Sequence, residues 1–110
     1  MFKRKRMRAT KDDILHYLKE LKAEFSKDGI TTFALFGSFA KDTHGVYSDI
    51  DVAIAKSSDY LSYNSSYAYF ETIAKIKDKI RKKFHRNSDV FDLDSQSPFK
   101  ETIQKELIYV

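Results

Sequence analysis

Asp49 and Asp51 stand either side of Ile50 in the run DIDVAIA, residues 49–55. In an extended strand, residues two apart project to the same face. The two carboxylates therefore look one way, and Ile50, Val52 and Ile54 look the other. Two like charges at that separation repel, and placing them beside an apolar stripe costs desolvation. They are comfortable when solvated, protonated or holding a cation. Hard divalent ions such as Mg²⁺ prefer carboxylate oxygen, and commonly bind one or two protein carboxylates together with substrate phosphates.

A third carboxylate would complete such a site, and the run DVFDLD at residues 89–94 offers three. Taking Phe91 and Leu93 as the inward set leaves Val90, Asp92 and Asp94 facing outward. Asp92 lies mid-strand between the two apolar residues and is the expected third ligand, ahead of Asp89 and Asp94. Upstream, Gly37-Ser38 follows an apolar stretch. Glycine lets backbone approach closely or take a positive φ. Amides in such a turn, with a short helix behind them, form an anion cradle to which the serine hydroxyl adds a donor. A phosphate turn followed by acids on two strands points to phosphoryl or nucleotidyl transfer with two metal ions roughly 3.5–4 Å apart. A lone D-x-D or a lone Gly-Ser is weak evidence. Their combination, with β signals on each side, is specific.

These residues need elements to hold them. Thr10 and Asp13 mark a helix start, and Ile14, Leu18, Leu21 and Phe25 recur at helical spacing, which predicts a helix over residues 11–27. Residues 31–36 read as a strand, 39–42 as a helical turn, and 49–55 as a second strand. Residues 56–66, rich in serine and tyrosine, read as a loop. Tyr69, Ile73, Ile76, Ile80 and Phe84 then line one face of a long helix. Residues 89–94 form a third strand, and Ser97-Pro98 opens a last helix with Phe99 and Ile103 on its core face. The expected fold is a small α/β sandwich, with a short mixed sheet, helices on one face and an open catalytic face.

Composition narrows the class further. A chain of 110 residues supports one small domain. With no cysteine, neither a disulfide framework nor a thiolate zinc site is available. His16, His44 and His85 are far apart and read as surface or loop residues. No apolar run approaches the ~20 residues needed to span a bilayer, so no membrane association is expected and a cytoplasmic location is the default. The net charge of +4 comes largely from a tail: Lys3, Arg4, Lys5, Arg6, Arg8 and Lys11 are basic, and residues 1–11 hold no acid. Setting those six aside leaves 14 basic groups against 16 acidic ones. The tail, residues 1–9, is a possible contact for nucleic acid, and residues 10–110 form the domain. Lys75 to Arg86 is a second basic run, on the wet face of the long helix.

The spacing G-S-x10-D-x-D, here Gly37-Ser38 and Asp49-Ile50-Asp51, resembles the hallmark of the polymerase-β-like nucleotidyltransferases. The short length and the closing pattern VFDLDSQSPFKETIQKELIYV resemble the minimal nucleotidyltransferases of that superfamily. The resemblance implies that Asp49 and Asp51 bind two Mg²⁺ ions, that Asp92 joins one of them and helps deprotonate the acceptor, and that Gly37 and Ser38 hold the triphosphate of ATP. Many relatives have a basic residue directly after Gly-Ser, where this chain has Phe39, and glycine where it has Asp42. Lys41 is the expected replacement for the missing positive charge. Minimal members resemble antitoxins whose partner is a HEPN-domain ribonuclease toxin, silenced by attaching AMP to a tyrosine. The implied activity is therefore Mg²⁺-dependent AMP transfer to such a toxin. Two alternatives stand beside it: a non-catalytic module that neutralises the toxin by covering it, using Tyr60, Tyr63, Tyr67 and Tyr69, or nucleotidyl transfer to RNA or a small-molecule hydroxyl.

Overall fold

The structure, a computed structural model, describes residues 9–110; the rest of the basic tail lies outside the described residues. Thr10 caps α1 (Lys11–Phe25), its hydroxyl accepting from the Asp13 amide at 3.1 Å, with Asp12 and Asp13 in the first turn where the helix dipole favours negative charge. Ile14, Leu18, Leu21 and Phe25 form its buried face. A 3₁₀ turn over Ser26–Asp28 leads to Gly29 and into β1 (Ile30–Phe36). Next come α2 (Gly37–Ala40), β2 (Ile50–Lys56), α3 (Tyr60–Tyr63), α4 (Ser66–Phe84), β3 (Ser88–Asp92), α5 (Lys100–Gln104) and β4 (Ile108–Tyr109).

The four strands form one mixed sheet in the order β3-β2-β1-β4. β1 pairs antiparallel with β2 and with β4, while β2 and β3 run parallel, joined by the crossover through α4. Ser65 caps α4 by accepting from the Ala68 amide at 3.0 Å, and the helix ends where His85 turns left-handed at φ +56°. Its Tyr69, Ile76, Ile80 and Phe84 pack with the α1 face onto Phe33, Leu35, Ile50, Val52 and Ile54. Each such fully buried side chain contributes about 1.5–3 kcal/mol. This one-sided helical layer fixes the phase of β2: its odd-numbered residues must face away from α1 and α4.

The opposite face is open at one end and covered at the other. Ala34, Ala53 and Leu93 are buried there, with Phe36, Ala55, Phe91 and Leu107 packed against them. This second apolar cluster corrects the expected phase of β3. Phe91 and Leu93 turn away from α1 and α4, and Val90 turns toward them. The third strand stops at Asp92 rather than continuing through residue 94. Phe99, expected on a core face, is 68% exposed, and Leu107 from the same segment supplies the packing instead. The segment expected to be a loop contains α3, where Tyr60 is buried and meets Tyr69 edge-on at 5.5 Å. Tyr63 and Tyr67 are exposed, so the four tyrosines split between core and surface.

The burial pattern sets a clear contrast. Leu18→Ala empties a fully buried position and is expected to cost about 2–5 kcal/mol in urea unfolding. Leu61→Ala, at an exposed position in α3, is expected to stay within about 0.5 kcal/mol of the parent.

Candidate active site

β1 and β2 place Phe36 directly opposite Asp51. The chain then turns through Gly37 at φ +78°, a backbone conformation that side chains with a Cβ rarely adopt. A Cβ on Gly37 would also collide with the Asp51 carboxylate. Glycine is required here twice over, by the turn and by the close approach. Gly37 opens α2, whose four residues are followed by tight bonds: Lys41 N–H donates to the Gly37 carbonyl at 3.1 Å and Thr43 N–H to the Ser38 carbonyl at 2.8 Å. The first turn of any helix leaves amides without intrahelical partners, and in α2 those amides belong to Gly37 and the residues after it.

On the other side of β2, the parallel ladder pairs Asp51 with Asp89. Paired residues of a parallel ladder project to the same face, so the two carboxylates stand side by side and the charge of Asp89 acts on Asp51. Burial pushes the Asp51 pKa up first, then the charges of Asp89 and Asp49, the hydrogen bond to Asp89, and the charge of Glu106, to about 6 from a reference of 3.8. Asp49 precedes β2 and is exposed. Among the described residues Asp51 forms no salt bridge. Among them, too, no three acidic or histidine side chains stand gathered in ligating geometry. The three carboxylates thus share one end of the open face without closing on a single point. Their oxygens form a hard donor set of the kind divalent cations prefer, and Asp51's hold on its proton shows how poorly the pocket tolerates uncompensated negative charge.

Asp92, the expected third carboxylate, does not join them. It pairs with Ile54 and points to the helical side of the sheet. There Lys56 Nζ donates to it at 2.7 Å and the Tyr69 hydroxyl at 2.6 Å, while its other oxygen accepts from the Asp94 amide at 2.7 Å. Burial works against the charge of Asp92, but the bonds from Lys56, Tyr69 and the Asp94 amide outweigh it and hold the carboxyl below its usual range. Asp92 therefore builds the turn that ends β3 and anchors α4. The physical reason is the phase of β3: with Phe91 and Leu93 on the open face, Asp89 shares that face with Asp51 and Asp92 cannot. Asp89 was within view of the sequence, and the signal for it was the parity of 89 with Phe91, whose apolar partners on the second face were not readable.

Lys41 ends α2 and pairs with Glu106 at 3.4 Å, more than half exposed. Glu106 also acts on Asp51, so the C-terminal segment borders the site. His44 stacks on the buried Phe39 ring at 4.0 Å, and its Nδ1 is buried without a partner.

Two outcomes follow from this geometry. Asp51 holds its proton more tightly folded than unfolded, so its contribution to stability is complete below pH ~4 and is lost as pH rises through about 6. In metal-free buffer the melting temperature is expected to fall across that window, and Asp51→Asn is expected to flatten that fall. Gly37→Ala is expected to cost about 1–2 kcal/mol from the left-handed backbone alone, with the displaced Asp51 adding to the loss measured by urea unfolding.

The comparisons with known proteins agree with this architecture. A solved structure described as a minimal nucleotidyltransferase superposes with a TM-score of 0.68 at 16% identity, covering 91% of this chain and 95% of its own. A toxin–antitoxin structure with AMP-PNP matches with a TM-score of 0.59 at 19% identity, over 83% of this chain and 69% of that one. A mutant of the toxin–antitoxin MntA-HpeT matches with a TM-score of 0.55 at 17% identity, over 92% and 71%. At these identities the likeness is one of fold. No curated protein matches the sequence. The sequence model described as "Polymerase beta, Nucleotidyltransferase" matches residues 19–110, most of the chain. This protein belongs to the polymerase beta nucleotidyltransferase family.

Proposed function

We propose that this nucleotidyltransferase domain transfers AMP from ATP to a hydroxyl of a partner toxin, a tyrosine of a HEPN-type ribonuclease, and so acts as its antitoxin. The observation that carries the reading is the adjacency of Asp51 and Asp89 on neighbouring strands, with the Gly37 backbone against the Asp51 carboxylate. Membership of the family supports the reaction class. The toxin–antitoxin neighbours, one of them with AMP-PNP, support the partner class and the nucleotide.

Asp49, Asp51 and Asp89 would hold Mg²⁺, two ions in this reading, with Asp89 in the place the sequence assigned to Asp92. A divalent ion bound there supplies charge neutralisation for the triphosphate. The chain's own part is to bind and orient. The Gly37 and Ser38 amides and the Ser38 hydroxyl meet the phosphates. Lys41 reaches them by giving up an exposed ion pair with Glu106 worth at most about 1 kcal/mol. The acceptor oxygen bonds to the α-phosphorus, the bond from that phosphorus to the β-phosphate oxygen breaks, and pyrophosphate leaves. The acceptor's proton passes to the Asp89 carboxylate, which stands beside Asp51 on the neighbouring strand.

The test is to incubate the protein with ATP, Mg²⁺ and the toxin encoded beside it, and to weigh the toxin by mass spectrometry. Gain of AMP units supports the reading. No gain, with neutralisation of the toxin intact in cells, replaces it with a binding module. Asp89→Asn is expected to reduce transfer by about a hundredfold or more, the scale of losing one electrostatic group at the reacting centre. Asp92→Asn is expected to lower the melting temperature by loosening Lys56 and Tyr69 while leaving transfer within a fewfold of the parent.

A further inference from the structure

Arg86 lies just after α4, three residues before Asp89. Its Nη1 donates to the Val46 carbonyl at 2.9 Å and to the Ser48 carbonyl at 2.9 Å, with a longer contact to the Gly45 carbonyl at 3.5 Å. Its guanidinium carbon sits 5.2 Å from the centre of the Phe39 ring. Phe39 is fully buried and belongs to α2, directly after Gly37-Ser38. The Ser48 carbonyl belongs to the peptide immediately before Asp49. One side chain therefore ties the helix behind the phosphate turn to the backbone that delivers the first carboxylate.

The segment it grips is otherwise weakly held. Residues 45–48 form a turn closed by Ser48 N–H donating to the Gly45 carbonyl at 3.2 Å and Gly45 N–H donating to the Ser48 hydroxyl at 2.8 Å. Its corner residues, Val46 and Tyr47, are exposed. No strand pairing begins until Ile50, whose amide donates to the Asn87 carbonyl at 3.0 Å, next to Arg86. The chain up to residue 43 is anchored by Thr43 N–H on the Ser38 carbonyl and by the Lys11–Asp42 ion pair, but without the guanidinium residues 44–48 would depend on their own turn and on the His44–Phe39 stack.

We infer that Arg86 is a positioning residue for the metal-binding carboxylates: by holding the 45–48 carbonyls against the Phe39 ring, it sets where Asp49 stands relative to Asp51 and Asp89. The inference rests on the reading of those acids as cation ligands. It carries a sign that a purely electrostatic role would not give. Removing a positive charge near an acidic cluster should tighten cation binding. Loss of positioning should weaken it. A lysine cannot reproduce the planar fork that reaches several carbonyls while lying over the Phe39 ring.

The test is Mn²⁺ binding to the full chain, followed by the electron paramagnetic resonance signal of free Mn²⁺, with melting temperature and circular dichroism recorded for each variant. Arg86→Ala is expected to weaken Mn²⁺ binding by about tenfold, the scale seen when an outer partner of a metal ligand is removed. Arg86→Lys is expected to weaken it by about threefold or more at nearly unchanged charge. Lys82→Ala, the same charge change at an exposed site on the same helix end, is expected to leave it at the parent value. Unchanged or tighter binding in a folded Arg86→Ala variant overturns the inference while leaving the metal site standing. Should Arg86→Ala not fold, Arg86→Lys decides alone, and parent-like affinity there overturns it. A parent protein that binds no Mn²⁺ removes the metal reading itself, and this inference with it.

Discussion

Two carboxylates on neighbouring parallel strands are forced side by side by the register that pairs Asp51 with Asp89. That register is not free to slip. Shifting β3 by one residue would turn Val90 out of the helical core and drive Phe91 and Leu93 into it, against Ile54 and the α4 face. The hydrophobic layers on the two faces therefore hold an electrostatic conflict in place. Its severity shows in Asp51, which retains its proton to about pH 6, with burial as the largest cause and the neighbouring acids next. The fold tolerates this because the carboxylates occupy one end of the sheet, where the missing side chain of Gly37 leaves room for the Asp51 carboxylate.

The same residue type is treated oppositely at the end of β3. Asp92 is also partly buried, yet its pKa is depressed, because an ammonium, a phenol and a backbone amide all donate to it. Lys56, itself partly shielded by burial, sits 4.5 Å over the Tyr69 ring and is the internal counter-ion. The two clusters are thus distinguished by where their compensation comes from. At Asp92 the chain supplies it and the group becomes structural. At Asp51 and Asp89 no salt bridge among the described residues supplies it, and that asymmetry is what favours the pair as the proposed cation ligands.

The helical periodicities of α1 and α4, the strands β1 and β2, and the outward aim of Asp49 and Asp51 were legible because each rests on a local repeat of apolar residues. The close approach at Gly37 was legible because glycine after a strand has few other uses. The face that Asp92 takes was misread for a specific reason. Phe91 and Leu93 were assigned to the single core that a small domain is expected to have, whereas they pack on a second cluster with Phe36, Ala34, Ala53 and Leu107. Leu107 arrives from a segment fourteen residues downstream of Leu93, and no local pattern announces that contact. The short β4 and the exposure of Phe99 were hidden for the same reason, since both depend on how that segment folds back over the sheet.

That second cluster also shapes the approach to the site. It covers part of the face that Asp51 and Asp89 share, and its Leu107 directly follows Glu106, which pairs with Lys41. In the proposed reaction, the side of α5 is the covered one. The remaining approach is past α2 and the turn that presents Val46 and Tyr47, both exposed. Apolar residues at the corners of a tight turn are poorly explained by the turn itself, which favours Asn, Asp, Gly and Ser. A rigid backbone that carries an exposed aromatic residue next to paired acids presents a small, low-entropy contact to whatever brings the hydroxyl. Under the proposed function, a folded protein surface would supply the complementary wall at that turn.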